Sequence, residues 1–484
     1  MAKYLLKLTL ILIITMRLTG IGACTQSAKA RLDPASPTTI DCWHYYNGDQ
    51  LANFDKLVKT FNETVGESEG IKVNAVSQGN ERDLAALVRT VFAAQAGELP
   101  DVIAAYPGTA YDLATAGHLV DLNKYLSLAD QEKFKPEFLA EGRFFTGGTA
   151  GLYILPIAKS SEIVALNMNA WRAFTGIYPR YANPVETMST WESISQAAEA
   201  YHNWSGGKAM IGFDSLANFL LVGSRQLGVN LMDTVEGKMA LDLDREALHR
   251  IWNIYYVGIV QGSFGATGSY RADDLAAGDL IAGVVSTASG TWLPDRVKDV
   301  VGTQPVELAI FPYPTFRDGE PFCVQQGAGM AVIRSDAGRE AASAIFLDWL
   351  IRPEQNASFA VNSSYLPVTK QALQSQLLRD SIQQLADSRK TPAAALCLDV
   401  FLGQIKTKTL YFPGTFLGSE QIRYYLESSL LETASAARKN WLSEQQNNIA
   451  IDQLQARYFS DAAFESWYSE IILGVDRILE SDSE

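Results

Sequence analysis

Between Thr38 and Ala105 the chain alternates strand-forming and helix-forming segments, and that order restricts the fold more than any other feature. Thr38 to Tyr46 is rich in β-formers and stops at Asn47-Gly48, which reads as a strand and its turn. Leu51 to Glu63 sets Phe54, Leu57, Val58 and Phe61 at helical spacing. Ile71 to Val76 alternates as a second strand, and Arg82 to Ala96 is an amphipathic helix closed by Gly97. Pro100 to Ala105 is nearly all apolar, the pattern of a strand covered on both faces. Successive strands separated by helices are joined by crossovers, so this part is expected to hold a mostly parallel sheet in an α/β architecture.

The same pattern returns further on. Gly151 to Pro156 and Ile163 to Asn167 read as strands, and Ser189-Thr190-Trp191-Glu192 as a capping box for a helix to Tyr201. Helices are expected over Asn218–Leu227 and Asp244–Val257, and strands over Leu280–Ser286 and Val306–Phe311. Pro312, Pro314 and Gly319 mark a turn-rich crossing. Met330 to Ile333 is a strand and Arg339 to Leu350 a helix stopped by Pro353. From Gln371 the pattern is helical, with loops at Pro392 and Pro413-Gly414. At 484 residues the chain exceeds what one core holds, so two or more domains are expected.

The N-terminus points outside the cytoplasm. Lys3 and Lys7 precede a short apolar stretch, Leu8 to Met16, too brief to span a bilayer permanently, which reads as a signal peptide. It ends in Ile21-Gly22-Ala23-Cys24, which resembles the lipobox of bacterial lipoproteins and implies a lipid on Cys24. Residues 24–37 then form a polar tether. Loss of residues 1–23 removes Lys3, Lys7 and Arg17 and no acid, moving the formal charge from -14 to -17. So acidic a body repels phosphate backbones, and nucleic acid is not an expected partner. Cys42, Cys323 and Cys397 remain, an odd number, so at least one thiol is unpaired within the chain.

Several later segments resemble the extracellular solute-binding proteins related to the maltose-binding protein. They are Gly97-Glu98-Leu99-Pro100-Asp101-Val102, Gly117-His118-Leu119-Val120-Asp121-Leu122, Leu155-Pro156 leading to Ala165-Leu166-Asn167, and Ser189 to Glu192. Gly278 to Ala282, Gly290-Thr291-Trp292, Phe346 to Leu350 with Pro353-Glu354, and Tyr365-Leu366-Pro367-Val368 complete the set. The resemblance implies a two-lobed periplasmic-binding-protein fold with discontinuous lobes joined by a hinge. Residues 38–154 and 310–354 would form the N-terminal lobe, and 155–309 and 355–484 the C-terminal lobe. Function follows as an expectation: a monomer that captures a small solute for an ABC importer, with permease subunits and the membrane as partners and no cofactor or metal. Trp43-His44, Gln78-Gly79-Asn80, Thr287 to Gly290 and Gln421-Ile422-Arg423 are similar to the glycerol-phosphate-binding branch, which widens the expected solutes to carbohydrates and glycerol phosphates. Glu81 replaces that branch's tyrosine, no carboxylate follows the third strand at Tyr106-Pro107, and Phe416-Leu417-Gly418 stands where it has Arg-Leu-Gly, which counts against a free phosphate.

Ligands of open α/β lobes sit beyond the carboxyl ends of the strands. That rule selects Trp43, His44, Tyr45 and Tyr46 after the first strand, Gln78 and Asn80 after the second, and Tyr106 after the third. The second lobe adds Ser160, Ser161, Ser289 and Trp292, and Gly327 could turn its backbone toward a ligand. Tyr and Trp faces suit sugar rings and quaternary ammonium groups alike. Trp43 is equally suited to a core, and Trp191 to anchoring a helix. Tyr365, on a loop after Ser363-Ser364, matches a ligand-facing family position, and Arg423 is the nearby phosphate clamp or else a solvated helix residue. The four histidines fit no metal or nucleophile motif, so catalysis is not expected. The alternatives are a glycan-active envelope enzyme using paired carboxylates such as Glu81 and Asp214, or a receptor's sensing subunit.

Overall fold

The computed structural model describes residues 32–94, 99–235, 237–265, 267–299, 302–327, 329–388 and 392–481. The signal peptide, Cys24 and Gly97 lie outside the described residues. Thr38–His44 (β1) leads through the helix Gly48–Phe61 (α1) to Ile71–Ser77 (β2), then through Glu81–Ala94 (α2) to Val102–Ala105 (β3) and the helix Pro107–Thr115 (α3). β1 lies between β2 and β3 and runs parallel to both, with Cys42 opposite Ala75 on one side and Val102 on the other. Ile40 and Cys42 are fully buried, as are Phe54 and Phe61 of α1. The period-2 and period-3.6 apolar patterns are therefore the two sides of one packed layer.

The chain then makes a short strand, Leu155–Pro156 (β4), and crosses to Glu162–Asn167 (β5). β5 is the centre of a second sheet, and Ile163, Val164, Ala165 and Leu166 are all fully buried. Full burial of each branched side chain contributes roughly 1.5–3 kcal/mol. Its neighbours come from further along the chain. In order these are the helix Trp191–Trp204 (α4), Ile211–Phe213 (β6), the helices Leu216–Gln226 (α5) and Arg245–Gln261 (α6), Ala282–Ser286 (β7) and Leu308–Pro312 (β8). The second sheet runs β8-β5-β7-β6, with β7 and β8 antiparallel to β5 and β6 parallel to β7. Gly329–Val332 (β9) then returns to the first sheet, which runs β2-β1-β3-β9-β4.

Two expected boundaries move. Ile310 and Phe311 pair with Ala165 and Val164, so residues 310–312, expected in the first lobe, close the edge of the second sheet. The apolar run from Val306 continues to that edge, and the turn-rich crossing begins only after it. Downstream, the helices Ala337–Leu350 (α7) and Pro353–Asn362 (α8) follow. Phe359 of α8 packs on Tyr46 and Phe54, and Asn53 Nδ2 donates to Asn362 O at 2.9 Å. Residues 355–362, expected in the second lobe, therefore cover α1 of the first, because Phe359 completes its aromatic cluster.

The expected capping box is also redrawn. Thr190, not Ser189, caps α4 by accepting from Ser193 N, while Ser189 Oγ donates to Glu186 O. Glu192 instead pairs with Arg250 and accepts from Arg317 N, and Trp191 is buried among Phe213, Phe219 and Tyr313. The C-terminal stretch is a helical layer on the second lobe. Ser419–Gln446 (α9) packs along α6, and Asp461–Ser481 (α10) returns beside it, tied by Trp467 Nε1 donating to Ser429 Oγ. Cys42, Cys323 and Cys397 are free and buried.

Candidate functional site

Between the two sheets lies a cleft of about 260 Å³, built mostly from the ends of strands and the starts of helices. The first lobe supplies Tyr45 after β1, Glu81 and Arg82 at the start of α2, and Tyr106 to Thr109 at the start of α3. The second supplies Asp214, Ser215 and Asn218 around the start of α5, and Glu420, Arg423, Tyr424 and Glu427 from α9. Gln325 and Gln326, on a crossing segment, close the floor. Past Tyr424 the cleft opens into a wider hollow of about 780 Å³ that shares Arg82, Asp214, Tyr424 and Glu427 with it and adds Tyr255, Phe264 and Tyr425.

The crossing segments are hydrogen-bonded to one another. Ser160 exchanges two backbone hydrogen bonds of 3.0 Å with Gln326, and Ser161 Oγ donates to Val324 O. Lys159 is buried, pairs with Glu141 at 2.5 Å and donates to Gly327 O. Gly327 has φ +93°, and a Cβ there would stand 2.5 Å from Ala158 O, so only glycine fits.

Of the ten expected ligand residues, the structure brings Tyr106 and Arg423 into the cleft lining and places the other eight elsewhere. Trp43 packs against the core within β1. Tyr46 is buried between His44, Phe54 and Phe359. Asn80 spends its Oδ1 capping α2, accepting from Arg82 N and Asp83 N. Ser160 and Gly327 serve the crossing segments. Ser289 turns its carbonyl to the amides of Trp292 and Leu293. Trp292 is 59% exposed, and its ring edge lies against Gly48, where an added Cβ would stand 3.0 Å away. Tyr365 is buried behind Tyr45, to which it hydrogen-bonds, and Tyr45 also bonds Tyr106. The phenol of Tyr365 is pushed up to about 12 by burial.

Around α5 and α9, Ser215, Asn218, Glu420, Tyr424 and Glu427 are not singled out by the sequence, and Asp214 is named there only as an acid of the glycan-enzyme alternative. Asp214 and Ser215 follow β6, and the carboxyl-end rule would have selected them had so short a strand been recognised. Asn218, one turn on, donates from Nδ2 to Glu162 Oε1 at 2.7 Å and accepts at Oδ1 from Arg423 Nη2 at 2.6 Å. Glu427 Oε1 accepts from the amides of Leu216 and Ala217, occupying the start of α5 with a protein carboxylate. Glu141 and Glu420 are paired with Lys159 and Arg89, and Glu81, Asp214 and Glu427 stand against Arg82 and Arg423, so the lining is mildly acidic.

Burial shifts several groups. It pushes the Glu162 carboxyl up to about 8 and Asp214 up to about 6, and pulls the His44 imidazole down to about 4. His44 is a core residue whose Nδ1 accepts from Tyr46 N. Between pH 4 and 6.5 the unfolded chain binds a proton that native His44 refuses, so this contribution to stability is lost as pH falls through that window. Glu162 acts oppositely. From pH 4.5 to 8 the native state holds a proton that the unfolded state releases, so stability falls as pH rises to 8. Urea unfolding at pH 6 and pH 8.5 is expected to show wild type losing stability and Glu162→Gln losing much less; equal losses would exclude Glu162 as the source.

The lobes touch across the cleft mouth. Arg89 Nη1 of α2 pairs with Glu420 Oε2 of α9 at 2.9 Å, Thr109 Oγ1 donates to the same oxygen, and the Arg82 guanidinium lies 5.4 Å from the Tyr424 ring centre. Partly exposed pairs contribute about 0.2–1 kcal/mol. Arg89→Ala is therefore expected to shift the open–closed balance by up to about fivefold, read as a larger radius of gyration in solution scattering. An unchanged radius with and without salt would show that the pair holds nothing shut.

The profile of the bacterial extracellular solute-binding proteins matches residues 56–386. The chain belongs to that family and is a substrate-binding protein of an ABC transporter. Among curated relatives, the sn-glycerol-3-phosphate-binding periplasmic protein UgpB of Escherichia coli O1:K1 is 24% identical over 421 residues, covering 81% of this chain and 87% of UgpB. Among solved structures, Mycobacterium tuberculosis UgpB in complex with glycerophosphocholine superposes with a TM-score of 0.67 at 20% identity, covering 93% of this chain and 100% of that one. The cyclic α-maltosyl-1,6-maltose binding protein of Arthrobacter globiformis gives 0.65 at 17%, covering 90% and 99%. These likenesses fix the two-lobed α/β fold. Among the described residues no helix is long and apolar enough to cross a membrane.

Proposed function

We propose that this protein captures a neutral carbohydrate or a zwitterionic glycerophosphodiester in the cleft and delivers it, as a monomer, to an ABC permease while held at the membrane by a lipid on Cys24. The observation that carries the reading is the charge of the lining: with Glu141 and Glu420 already paired to Lys159 and Arg89, the carboxylates of Glu81, Asp214 and Glu427 stand against Arg82 and Arg423. A phosphomonoester dianion entering that field is repelled, whereas hydroxyls are accepted by carboxylates and a diester bears one negative charge offset by its own cation. Two of the relatives' named ligands, glycerophosphocholine and a cyclic maltosyl-maltose, are of these kinds, whereas the sn-glycerol-3-phosphate of the third is the phosphomonoester that this lining disfavours. Size points the same way. The narrow cleft alone is below the usual range for small-molecule pockets, about 300–1,000 Å³, and the adjoining hollow leaves room for an extended solute. Tyr45 and Tyr106 would supply ring faces, Arg423 a charged donor, and the Asp214 and Glu427 carboxylates hydroxyl or ammonium acceptors. Closure would turn on residues 157–161 and 313–327, with only the closed form productive at the permease.

Calorimetry on ligand-stripped protein tests the reading with glycerophosphocholine, maltotriose and glycerol-3-phosphate. Binding of either of the first two, tighter than glycerol-3-phosphate, is expected. Silence across all three, or a preference for glycerol-3-phosphate, would sink it. For the anchor, Cys24→Ala is expected to move the protein from the membrane fraction to the soluble envelope fraction.

A further inference from the structure

Behind the cleft floor, out of reach of a ligand, sits Glu162, the first residue of β5 and 1% exposed. Its Oε1 accepts from Asn218 Nδ2 at 2.7 Å and more loosely from Gln326 Nε2 at 3.4 Å. Its Oε2 is buried and finds no partner among the described residues. An uncompensated carboxylate oxygen is costly in a protein interior, so its retention calls for a compensating role. Asn218, itself 1% exposed, is the link. An amide has a donor end and an acceptor end, and Glu162 Oε1 accepts whether the carboxyl is ionised or carries its proton on Oε2, so Nδ2 faces Glu162 and Oδ1 faces the cleft. There Oδ1 accepts from Arg423 Nη2 at 2.6 Å. Arg423 Nη1 and Nε make no hydrogen bond among the described residues, and this leaves them for a ligand.

We propose that Glu162 is a positioning residue for the solute site: by fixing the orientation of Asn218 it holds the Arg423 guanidinium at the cleft floor with one edge committed and the other presented to the ligand. This deepens the binding reading and rests on it for the ligand, but the orientation itself is a property of the empty protein. The charged and titratable groups around Glu162 are Asp214, Glu427 and Arg423 on the cleft side and Tyr313 and Cys323 behind, with Lys408 beyond Cys323. Burial favours the neutral carboxyl, yet Oε1 accepts in either state, so the orientation persists as Glu162 titrates. What changes with pH is the net charge that a ligand meets beside Arg423.

Glu162→Gln separates the possibilities, because glutamine is isosteric and its amide can also donate. In crystals of the ligand-free variant, the Asn218 amide is expected to lose its single orientation, because glutamine can present either end to it, and the guanidinium to leave its place wherever Nδ2 turns toward it. The affinity for glycerophosphocholine, or for maltotriose if that is the binder, is expected to fall about tenfold with a little-changed melting temperature. The pH dependence of that affinity between pH 6.5 and 9 should flatten in the variant. Glu162→Asp, which keeps an acceptor-only group, should recover part of the affinity. An Arg423 position unchanged in Glu162→Gln overturns the proposal, and so does a displaced Arg423 with unaltered affinity. Should the variant not fold, Asn218→Ala with the same two readouts decides, because it removes the link and leaves Glu162 in place. If no probe binds the wild type, the binding reading fails, while the comparison of ligand-free crystals still decides the orientation.

Discussion

Arg423→Ala is expected to weaken solute capture by about 30- to 100-fold, the equivalent of roughly 2–3 kcal/mol for a lost charge-assisted hydrogen bond in a secluded site. Arg423 is the cation that α9 carries into the cleft, and Asn218 Oδ1 holds one of its nitrogens at 2.6 Å. The other cleft arginine, Arg82, lies over the Tyr424 ring at the mouth. Truncating Arg423 also leaves the buried Asn218 oxygen without its donor, so a modest fall in melting temperature accompanies the loss. Arg423→Lys keeps the charge but not the planar fork, and should recover only part of the affinity. Titration calorimetry with whichever of glycerophosphocholine and maltotriose binds wild type measures both variants; an alanine variant within threefold of wild type would remove Arg423 from the site.

Asp101→Ala is expected to destabilise the protein by about 1–3 kcal/mol, the usual cost of losing hydrogen bonds to a buried charged group when the ion-pair partner, here Arg339, is itself 39% exposed to water. Asp101 is 1% exposed at the entry to β3. Its two oxygens accept from Arg339 Nε and Nη2 at 2.6 and 2.7 Å, and Oδ2 also accepts from Asp41 N at 2.8 Å. One carboxylate thus ties β1, β3 and α7 together, and the alanine strands the Asp41 amide and leaves the part-exposed Arg339 to water. Urea unfolding followed by tryptophan fluorescence gives the number, and a loss under 1 kcal/mol would show that water replaces the carboxylate without cost. Asp101 sits far along the chain from α9, so solute affinity measured well below the melting temperature should hardly change.

How much of this was legible beforehand depended on how local the cause was. β1, α1, β2, α2 and β3 are each specified by their own apolar periodicity, and their alternation leaves few ways to arrange them. The lobe boundaries were less legible because they depend on partners distant in sequence. Whether Ile310 belongs to one sheet or the other depends on the buried edge of β5, and whether Phe359 packs forward or back depends on Tyr46 and Phe54. The lining of the cleft was the least legible. Tyr46 and Trp43 have the chemistry of sugar platforms, but aromatics also fill cores, and only the packing shows which use won. Asn80 has the donor set for a ligand and is consumed by its own helix. Ser215 was hidden, and Asp214 was named only as a possible acid and not as a cleft residue, because three residues of β6 carry too little pattern to announce a strand. Tyr106 and Arg423 stand out because the first follows a well-marked strand and the second lies in a segment with a known likeness.

The sulfhydryls have a practical consequence. Cys42, Cys323 and Cys397 are unpaired, sealed in the interior and held protonated, with Cys323 and Cys397 pushed up to about 11 and 12. Maturation of the described body thus requires no oxidant and no isomerase, and its native state is indifferent to reducing agents. The same thiols act as built-in clocks: a maleimide reacts with them only when a lobe comes apart, so the rate of labelling reports how often the protein breathes.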